Sequence, residues 1–329
     1  MTATSLVTGG GGFIGRHLVD ALVARGDRVR VLDVDVQALS TSVEFVQGSI
    51  LDPDAVRRAI GGVDVVFHLA AIPHLWTRDA RDFDRVNRLG TERLLAAAAE
   101  QRVGRFIHCS TEAILFSARG VPPRETGALT LADMPGPYTR SKFLAEQAAL
   151  AAAERGLPVT VVNPTLPIGL GDDNCTPPCA MLSLLVTTPP PLVLECTLNL
   201  VDVRDVARGI LLAAQRGHVG ERYILGGENF SFTELSQVLD RLCGRERFQA
   251  KLPGFVALAT GLAAELVATH ITGRPPFATS EGVRIALRSA PIDSAKARRE
   301  LGYQPGSVIP ALAEVVRQFA AARPVLAPR

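Results

Sequence analysis

The sequence predicts an α/β protein, a doubly wound parallel sheet with a smaller, mostly helical C-terminal substrate lobe. Three observations point there. Short β-rich runs alternate with helical stretches over the first two thirds of the chain. Those runs are continuously apolar rather than alternating, as in strands covered on both faces. A glycine string sits between the first strand and the first helix, where such folds turn tightly.

The elements follow in order. SLVT (5–8) is a strand, followed by a helix from about Gly12 to Arg25 and a second strand, VRVLD (29–33). VEFVQ (43–47) is a third strand, before a short helix over 53–60, and VDVVFHLA (63–70) a fourth. A long helix near 80–101 leads to RFIHCS (105–110), and a helix over about 137–155 leads to PVTVVNP (158–164). Strand–helix–strand repetition implies right-handed parallel crossovers. Residues 165–196, with PPP at 189–191, read as an excursion over the sheet edge. LNLVDVRDVARGILLAA (198–214) returns to a strand and a helix, and ERYILGG (221–227) is one more strand. Helices dominate from Ser231 to a last one ending near Ala322. A dinucleotide-binding domain of 1–164 and 197–226, with a substrate lobe of 165–196 and 227–329, is therefore expected.

Composition narrows the function. The 329 residues are 47% apolar and 21% charged, and 35 basic residues against 33 acidic ones leave a net charge of +2. No dense Lys/Arg run marks a nucleic-acid surface, so no nucleic-acid partner is expected. Five cysteines, an odd number spread along the chain, make no disulfide framework. Cys175 and Cys179 lack the second pair or histidine that a zinc site needs, so no metal is expected. The opening MTATSLVTGG has neither a basic segment nor a long apolar run, so a cytoplasmic location is expected. The apolar stretch 252–273 contains Glu265 and His270, which argues against a spanning helix. It reads as packed against the second lobe, or as a greasy rim that contacts a membrane peripherally or admits a lipid-like substrate.

Two motifs carry the chemistry. Gly9, Gly12 and Gly15 follow the first strand and open the first helix, where the backbone approaches a pyrophosphate and free N–H groups face it. Asp33 closes the second strand, 24 residues after Gly9. A carboxylate there accepts hydrogen bonds from the adenosine ribose and repels a 2′-phosphate, which favours NAD over NADP. The second motif is Tyr138-Thr-Arg-Ser-Lys142, with only three Tyr and three Lys in the whole chain. Residues four apart share a helix face, so the ammonium can stand beside the phenol. A phenol of pKa about 10 can then be drawn toward neutrality by Lys142 and the positive ring of the oxidised cofactor. Ser110 and Thr111 end the fifth strand, at the carboxyl edge where ligands bind.

These pieces resemble the extended short-chain dehydrogenase/reductase family, which includes NAD-dependent epimerases and dehydratases. The resemblance spans nearly the whole chain: TGGGGFIG, DVVFHLAA (64–71), VNRLGT (86–91), YTRSK, VVNPTLPIGLGD (161–172) and LVDVRDVARG (200–209). It implies that Thr111, Tyr138 and Lys142 form a catalytic triad. It places Phe13 and Ile14 with the glycines, and Leu69, Ala70 and Ala71 beside adenine and ribose. Asn87 would brace the central strands, Ser110 would line the cofactor site, and Pro164 would approach the nicotinamide carboxamide. Ser49 and Ile50 stand where the family usually has an Asp followed by a hydrophobic residue at the adenine. Within the family, HLWTRD (74–79), YTRSKFLAEQ (138–147) and GERYILGGEN (220–229) are most similar to hopanoid-associated sugar epimerases, dihydroflavonol-reductase-like proteins and 3β-hydroxysteroid dehydrogenases.

The expected activity is hydride exchange at a secondary alcohol or ketone of a small, apolar or lipid-linked substrate. The alternatives are a sterol dehydrogenase, a sugar-nucleotide epimerase or dehydratase, and a non-catalytic dinucleotide sensor. His74, Trp76, Thr111, Thr165, Asn199 and the 252–277 segment are the candidate substrate contacts. A homodimer is expected from the fold class.

Overall fold

A computed structural model describes residues 3–35, 42–116, 121–127, 129–188, 190, 192–247 and 249–321. The parallel sheet is built from β1 (Thr4–Thr8), β2 (Arg28–Asp33), β3 (Glu44–Gln47), β4 (Val65–His68), β5 (Arg105–Cys109), β6 (Val159–Pro164) and, later, β10 (Arg222–Leu225). Its order is β10-β6-β5-β4-β1-β2-β3, with every pairing parallel. Strand order reverses at β1, so the crevice between the carboxyl ends of β1 and β4 is the topological switch point, where ligands bind in such sheets.

Helices cover both faces. On one face α1 (Phe13–Ala24), α7 (Val203–Arg216) and α11 (Ala295–Leu301) bury Leu18, Leu22, Val206, Ile210 and Leu301 against the sheet. On the other, α2 (Pro53–Ile60), α4 (Gly90–Glu100) and α5 (Pro137–Glu154) bury Val56, Leu94, Leu95 and Ala149. Short α3 (Arg81–Phe83) joins α4 through a π-turn at Asp84–Leu89, so the single helix expected over 80–101 carries a local widening. Local signals set several helix starts. Pro53 opens α2 behind Asp52, whose carboxylate accepts the Asp54 N–H.

The second lobe has its own core. β7 (Leu166–Ile168), β9 (Thr197–Asp202) and β11 (Glu228–Ser231) form a small sheet. It packs on α6 (Pro177–Thr187), α8 (Phe232–Leu242) and α12 (Ile309–Ala321) through Ile168, Leu185, Leu239 and Leu312. The segment 197–226 therefore divides between two layers. β9 pairs with β7 and β11, while α7 and β10 belong to the large sheet. A two-residue pair, β8 (Leu192–Val193) with β12 (Ala250–Lys251), closes the edge of the lobe. Pro189, Pro191 and Ala322 lie outside the described residues.

The apolar stretch after β12 forms α9 (Gly254–Val267), continues as a π-turn at Ala268–Thr272, and leads to α10 (Ser280–Leu287). Its expected packing against the lobe is corrected here. Only Ala257, Gly261 and Ala268 of this helix and turn are buried, while Phe255, Leu262, Leu266 and Ile271 are exposed. The inward residues are the small ones because α9 runs close to its neighbour. A Cβ on Gly261 would lie 3.0 Å from the Ser280 nitrogen.

Candidate active site

The crevice at the switch point is shaped by missing side chains. Gly9 has φ +72°, and a Cβ there would lie 2.7 Å from the Ala70 nitrogen. A Cβ on Gly15 would lie 2.1 Å from the Gly9 carbonyl, so helix α1 can start this close to β1 only as glycine. Gly12 caps α1 without any side-chain bond to its first-turn N–H groups, and Phe13 and Ile14 turn into the protein as that helix begins. Across the crevice, Asp33 accepts the Gly11 N–H at 2.8 Å and the Val34 N–H at 2.7 Å. Leu69 donates its N–H to the Thr8 carbonyl, which leads Ala70 and Ala71 past the glycines.

A dinucleotide fits these residues. The cradle is one that a Cβ would fill and, among the described residues, the helix N-terminus has no side-chain cap and two buried hydroxyls, of Ser110 and Thr165, have no hydrogen-bond partner. Those hydroxyls stand just past the carboxyl ends of β5 and β6, beside Pro164. Just past β3, the Ser49 hydroxyl accepts the Leu51 N–H at 3.1 Å, and Ile50 is buried against Gly90.

Thr111, Tyr138 and Lys142 are all buried, and the Thr111 hydroxyl faces the Tyr138 phenol. Tyr138 lies in the first turn of α5, edge-on to Phe83 with ring centroids 6.1 Å apart. Lys142 donates to the Cys109 carbonyl at 2.8 Å, which anchors its ammonium on the end of β5. The chain's own groups act on the phenol as follows, before any charge that the oxidised cofactor would add. Burial dominates and pushes Tyr138 well above its ordinary value, the Thr111 hydroxyl opposes this, and Glu112, Glu281 and Cys109 push further up. Held on a strand carbonyl, the Lys142 charge acts chiefly on its buried neighbours His68, His108 and Cys109.

Several functional neighbours were not legible in the sequence. Glu281 of α10 is buried and accepts the Tyr138 N–H at 3.2 Å, the Thr139 N–H at 2.7 Å and the Thr139 hydroxyl at 2.7 Å. It caps α5 from the second lobe. Glu146 accepts from Asn163 at 2.8 Å and pairs with Arg222 at 2.6 Å, and Asn163 also holds the Thr111 carbonyl at 3.1 Å. His68 bridges Thr8 and Thr91 at 2.7 and 2.8 Å. Because the Thr91 hydroxyl donates to the Asn87 carbonyl, it accepts from His68 Nε2, and burial keeps the ring neutral with a pKa of about 3. For His68 and Asn163 the only sequence signal was polarity inside an otherwise apolar strand, and Glu281 and Glu146 had none.

Other expected residues sit nearby in different roles. Asn87 ties the loop after β4 to α5 rather than bracing the strands. It accepts the Ile72 N–H at 2.8 Å and donates to the Ser141 hydroxyl at 3.0 Å. Asn199 spends its amide on Gly227 and Asn229, between β9 and β11. His74 is half-buried within the field of Asp172, and Trp76 donates to the Thr269 hydroxyl at 3.3 Å, on the turn after α9. Leu258 of the 252–277 segment is half-buried, and its neighbours on that face are exposed.

Glu112 gives a pH-dependent handle on the site. The Thr111 hydroxyl donates to it at 3.2 Å, and burial pushes its carboxyl up to about 7. The folded chain keeps this proton over a range where the unfolded chain releases it, so the stabilisation is complete below the unfolded pKa and lost as pH rises through about 7. Glu112→Gln removes the dependence. Relative to the parent, it should gain about 3 kcal/mol between pH 4 and pH 8. Urea melts at both pH values read this directly, and an offset that does not change with pH rejects the assignment.

The family model described as NAD dependent epimerase/dehydratase matches residues 5–226. A putative dihydroflavonol 4-reductase of Synechocystis is 34% identical, over 95% of this chain and 93% of that protein. Sterol demethylase protein B of Methylococcus capsulatus is 31% identical, over 96% and 98%. A 4-hydroxy-2-methyl-3-oxo-4-farnesyl-3,4-dihydroquinoline-1-oxide ketoreductase of Stigmatella aurantiaca is 34% identical, over 91% of each. Among solved structures, the dTDP-glucose 4,6-dehydratase DesIV of Streptomyces venezuelae, solved with NAD bound, superposes with a TM-score of 0.79 at 28% identity, covering 97% of this chain and 98% of that one. The chain belongs to the NAD-dependent epimerase/dehydratase family, the extended short-chain dehydrogenases/reductases, and is an oxidoreductase-type enzyme of that family.

Proposed function

We propose that the protein is an NAD(H)-dependent oxidoreductase that exchanges hydride at a secondary alcohol or ketone of an apolar, sterol- or isoprenoid-like substrate. The observation that carries the reaction is the buried grouping of Thr111, Tyr138 and Lys142 at the carboxyl edge of the sheet. A nicotinamide dinucleotide, when bound, supplies or accepts the hydride. The chain's residues do the rest. Thr111 orients the substrate oxygen, and Tyr138 moves the proton at that oxygen. Burial keeps the phenol protonated, which suits it to donate to a ketone as reduction proceeds. Lys142 stands to hold the ribose from its seat on the Cys109 carbonyl. Phe83 packs edge-on to the Tyr138 ring and Glu281 holds its backbone N–H, which fixes where the phenol stands.

Two features support the finer choices. Asp33 presents its carboxylate to the glycine loop, and Arg30 of the same strand is turned away onto Glu44, Ala59 and Gly61. A 2′-phosphate there would meet a negative charge with no compensating guanidinium from Arg30. For the substrate, the names of two relatives matched along nearly their whole length point to a sterol and a farnesyl-bearing ketone.

The test is a binding and turnover panel. NAD(H) should bind more tightly than NADP(H), and Asp33→Ala should narrow the gap by about tenfold. Sterol and isoprenoid ketones should turn over and should raise the melting temperature of the cofactor-bound protein more than UDP-sugars do. Tighter NADP(H) binding by the intact chain overturns the cofactor choice. Stabilisation by UDP-sugars alone overturns the substrate class.

A further inference from the structure

The helix α9 is inside out for a surface helix of a water-soluble domain. Such a helix ordinarily turns its large apolar side chains inward and its small or polar ones outward. Here Ala257, Gly261 and Ala268 face the protein, and Phe255, Leu262 and Leu266 recur along the outer face at 76%, 43% and 60% exposure. Ile271 and Phe277 extend the same exposed run at 78% and 75%. Residues Gly254–Thr272 have a mean hydropathy of 1.5, and only 17% of that segment is buried. Contiguous exposure of this kind marks a surface that meets something apolar.

The charges select the occupant. Between Leu252 and Ser280 the ionisable residues are Glu265, His270 and Arg274. Glu265 is drawn inward, accepting the Ser280 N–H at 2.9 Å, which leaves His270 and Arg274 exposed beside Ile271. Arg78, two residues beyond Trp76, is also exposed, and neither it nor Arg274 makes an ion pair among the described residues. A two-fold contact between copies would set this patch against itself, and because its one carboxylate, Glu265, is turned inward the cationic edge would meet no counter-ion from the patch. An anionic bilayer surface satisfies both the apolar face and the cationic edge.

The helix lies on such a surface rather than crossing it, because one side is fastened to the protein. Gly261 packs on the backbone at Thr279–Ser280, Gly254 packs on Leu287, and Thr269 accepts from Trp76. The same fastening connects the face to the catalytic crevice. α10, against which α9 lies, delivers Glu281 to the backbone N–H of Tyr138, and Leu75 packs near Gly282.

We propose that the outer face of α9 and the turn after it, carried by Phe255, Leu262, Leu266, Ile271 and Phe277, is a docking surface for an anionic phospholipid bilayer. The proposal goes beyond the assigned reaction and rests on this surface rather than on the chemistry of the site, so its test needs no substrate. The full chain is sedimented with vesicles of phosphatidylcholine and with vesicles containing phosphatidylglycerol in addition. It should pellet with the anionic vesicles, and added salt should weaken the binding. The variant Leu266→Ser/Ile271→Ser, and independently Phe255→Ser/Phe277→Ser, should each lose about tenfold or more in partitioning. Both should keep the parent's melting temperature and NAD binding. A parent chain that stays in the supernatant with both vesicle types overturns the proposal, and so do variants that bind as the parent does. If the variants instead convert a dimer to a monomer by light scattering, and the parent ignores vesicles, the face belongs to a second copy.

Discussion

Tyr138→Phe should lower turnover about a thousandfold, the scale of a lost general acid, while NAD(H) affinity stays within about twofold. The substitution deletes one oxygen and keeps the ring that packs edge-on against Phe83 at 6.1 Å. It also leaves the backbone N–H that Glu281 holds. The loss therefore belongs in kcat, with the dinucleotide dissociation constant as the internal control. Lys142→Ala should behave differently and damage both quantities. The ammonium is buried and fixed on the Cys109 carbonyl at 2.8 Å, so its removal opens a hole beside the cofactor cleft. A Tyr138→Phe enzyme retaining more than about a tenth of the parent rate would remove the phenol from the proton path.

The second large effect is expected at Glu281. Glu281→Ala leaves the Tyr138 and Thr139 N–H groups and the Thr139 hydroxyl without the carboxylate that accepts from all three. Bonds to a buried carboxylate are individually strong, but burial also raises this carboxyl's pKa, and Glu265 adds repulsion. The net loss should be about 3 kcal/mol, read as a fall in the denaturant midpoint. The variant's kcat should fall more than its affinity for NAD(H), because Glu281 positions the first turn of α5 and lies away from the glycine cradle. Glu281→Gln keeps one acceptor oxygen and should recover part of both losses. If Glu281→Ala is as stable and as active as the parent, the link between the second lobe and Tyr138 does not matter.

Patterns local in sequence predicted the sheet and brought forward most residues of the candidate site. Continuous apolar runs identify the strands of the large sheet because a strand covered on both faces cannot tolerate alternation. Gly9 and Gly15 identify the cradle because their positions admit no Cβ. Tyr138 and Lys142 identify each other because four residues make about one helical turn. What these patterns could not show is which distant groups share the same space. The 198–214 run reads as one strand–helix unit, yet β9 joins the small sheet while α7 covers the large one.

The same limit separates the chemistry from its control. Spacing alone placed Lys142 beside the phenol, but folding anchors it on Cys109 and lets burial raise the tyrosine's pKa. Glu281 lies 143 residues from Tyr138, and Trp76 lies 193 from Thr269, distances over which no periodicity carries information. The apolar run at 254–272 is equally apolar whether it is core or surface. Its orientation was settled only when Gly261 met the backbone at Ser280 and the small residues turned inward. The sequence by itself determined the sheet, the glycine turn and the one-turn spacing of Tyr138 and Lys142, because each depends on neighbours within a few turns of chain. Tertiary structure alone decided the protonation of the site, its clamp and its exposed apolar face, because burial and electrostatics depend on everything that packs nearby.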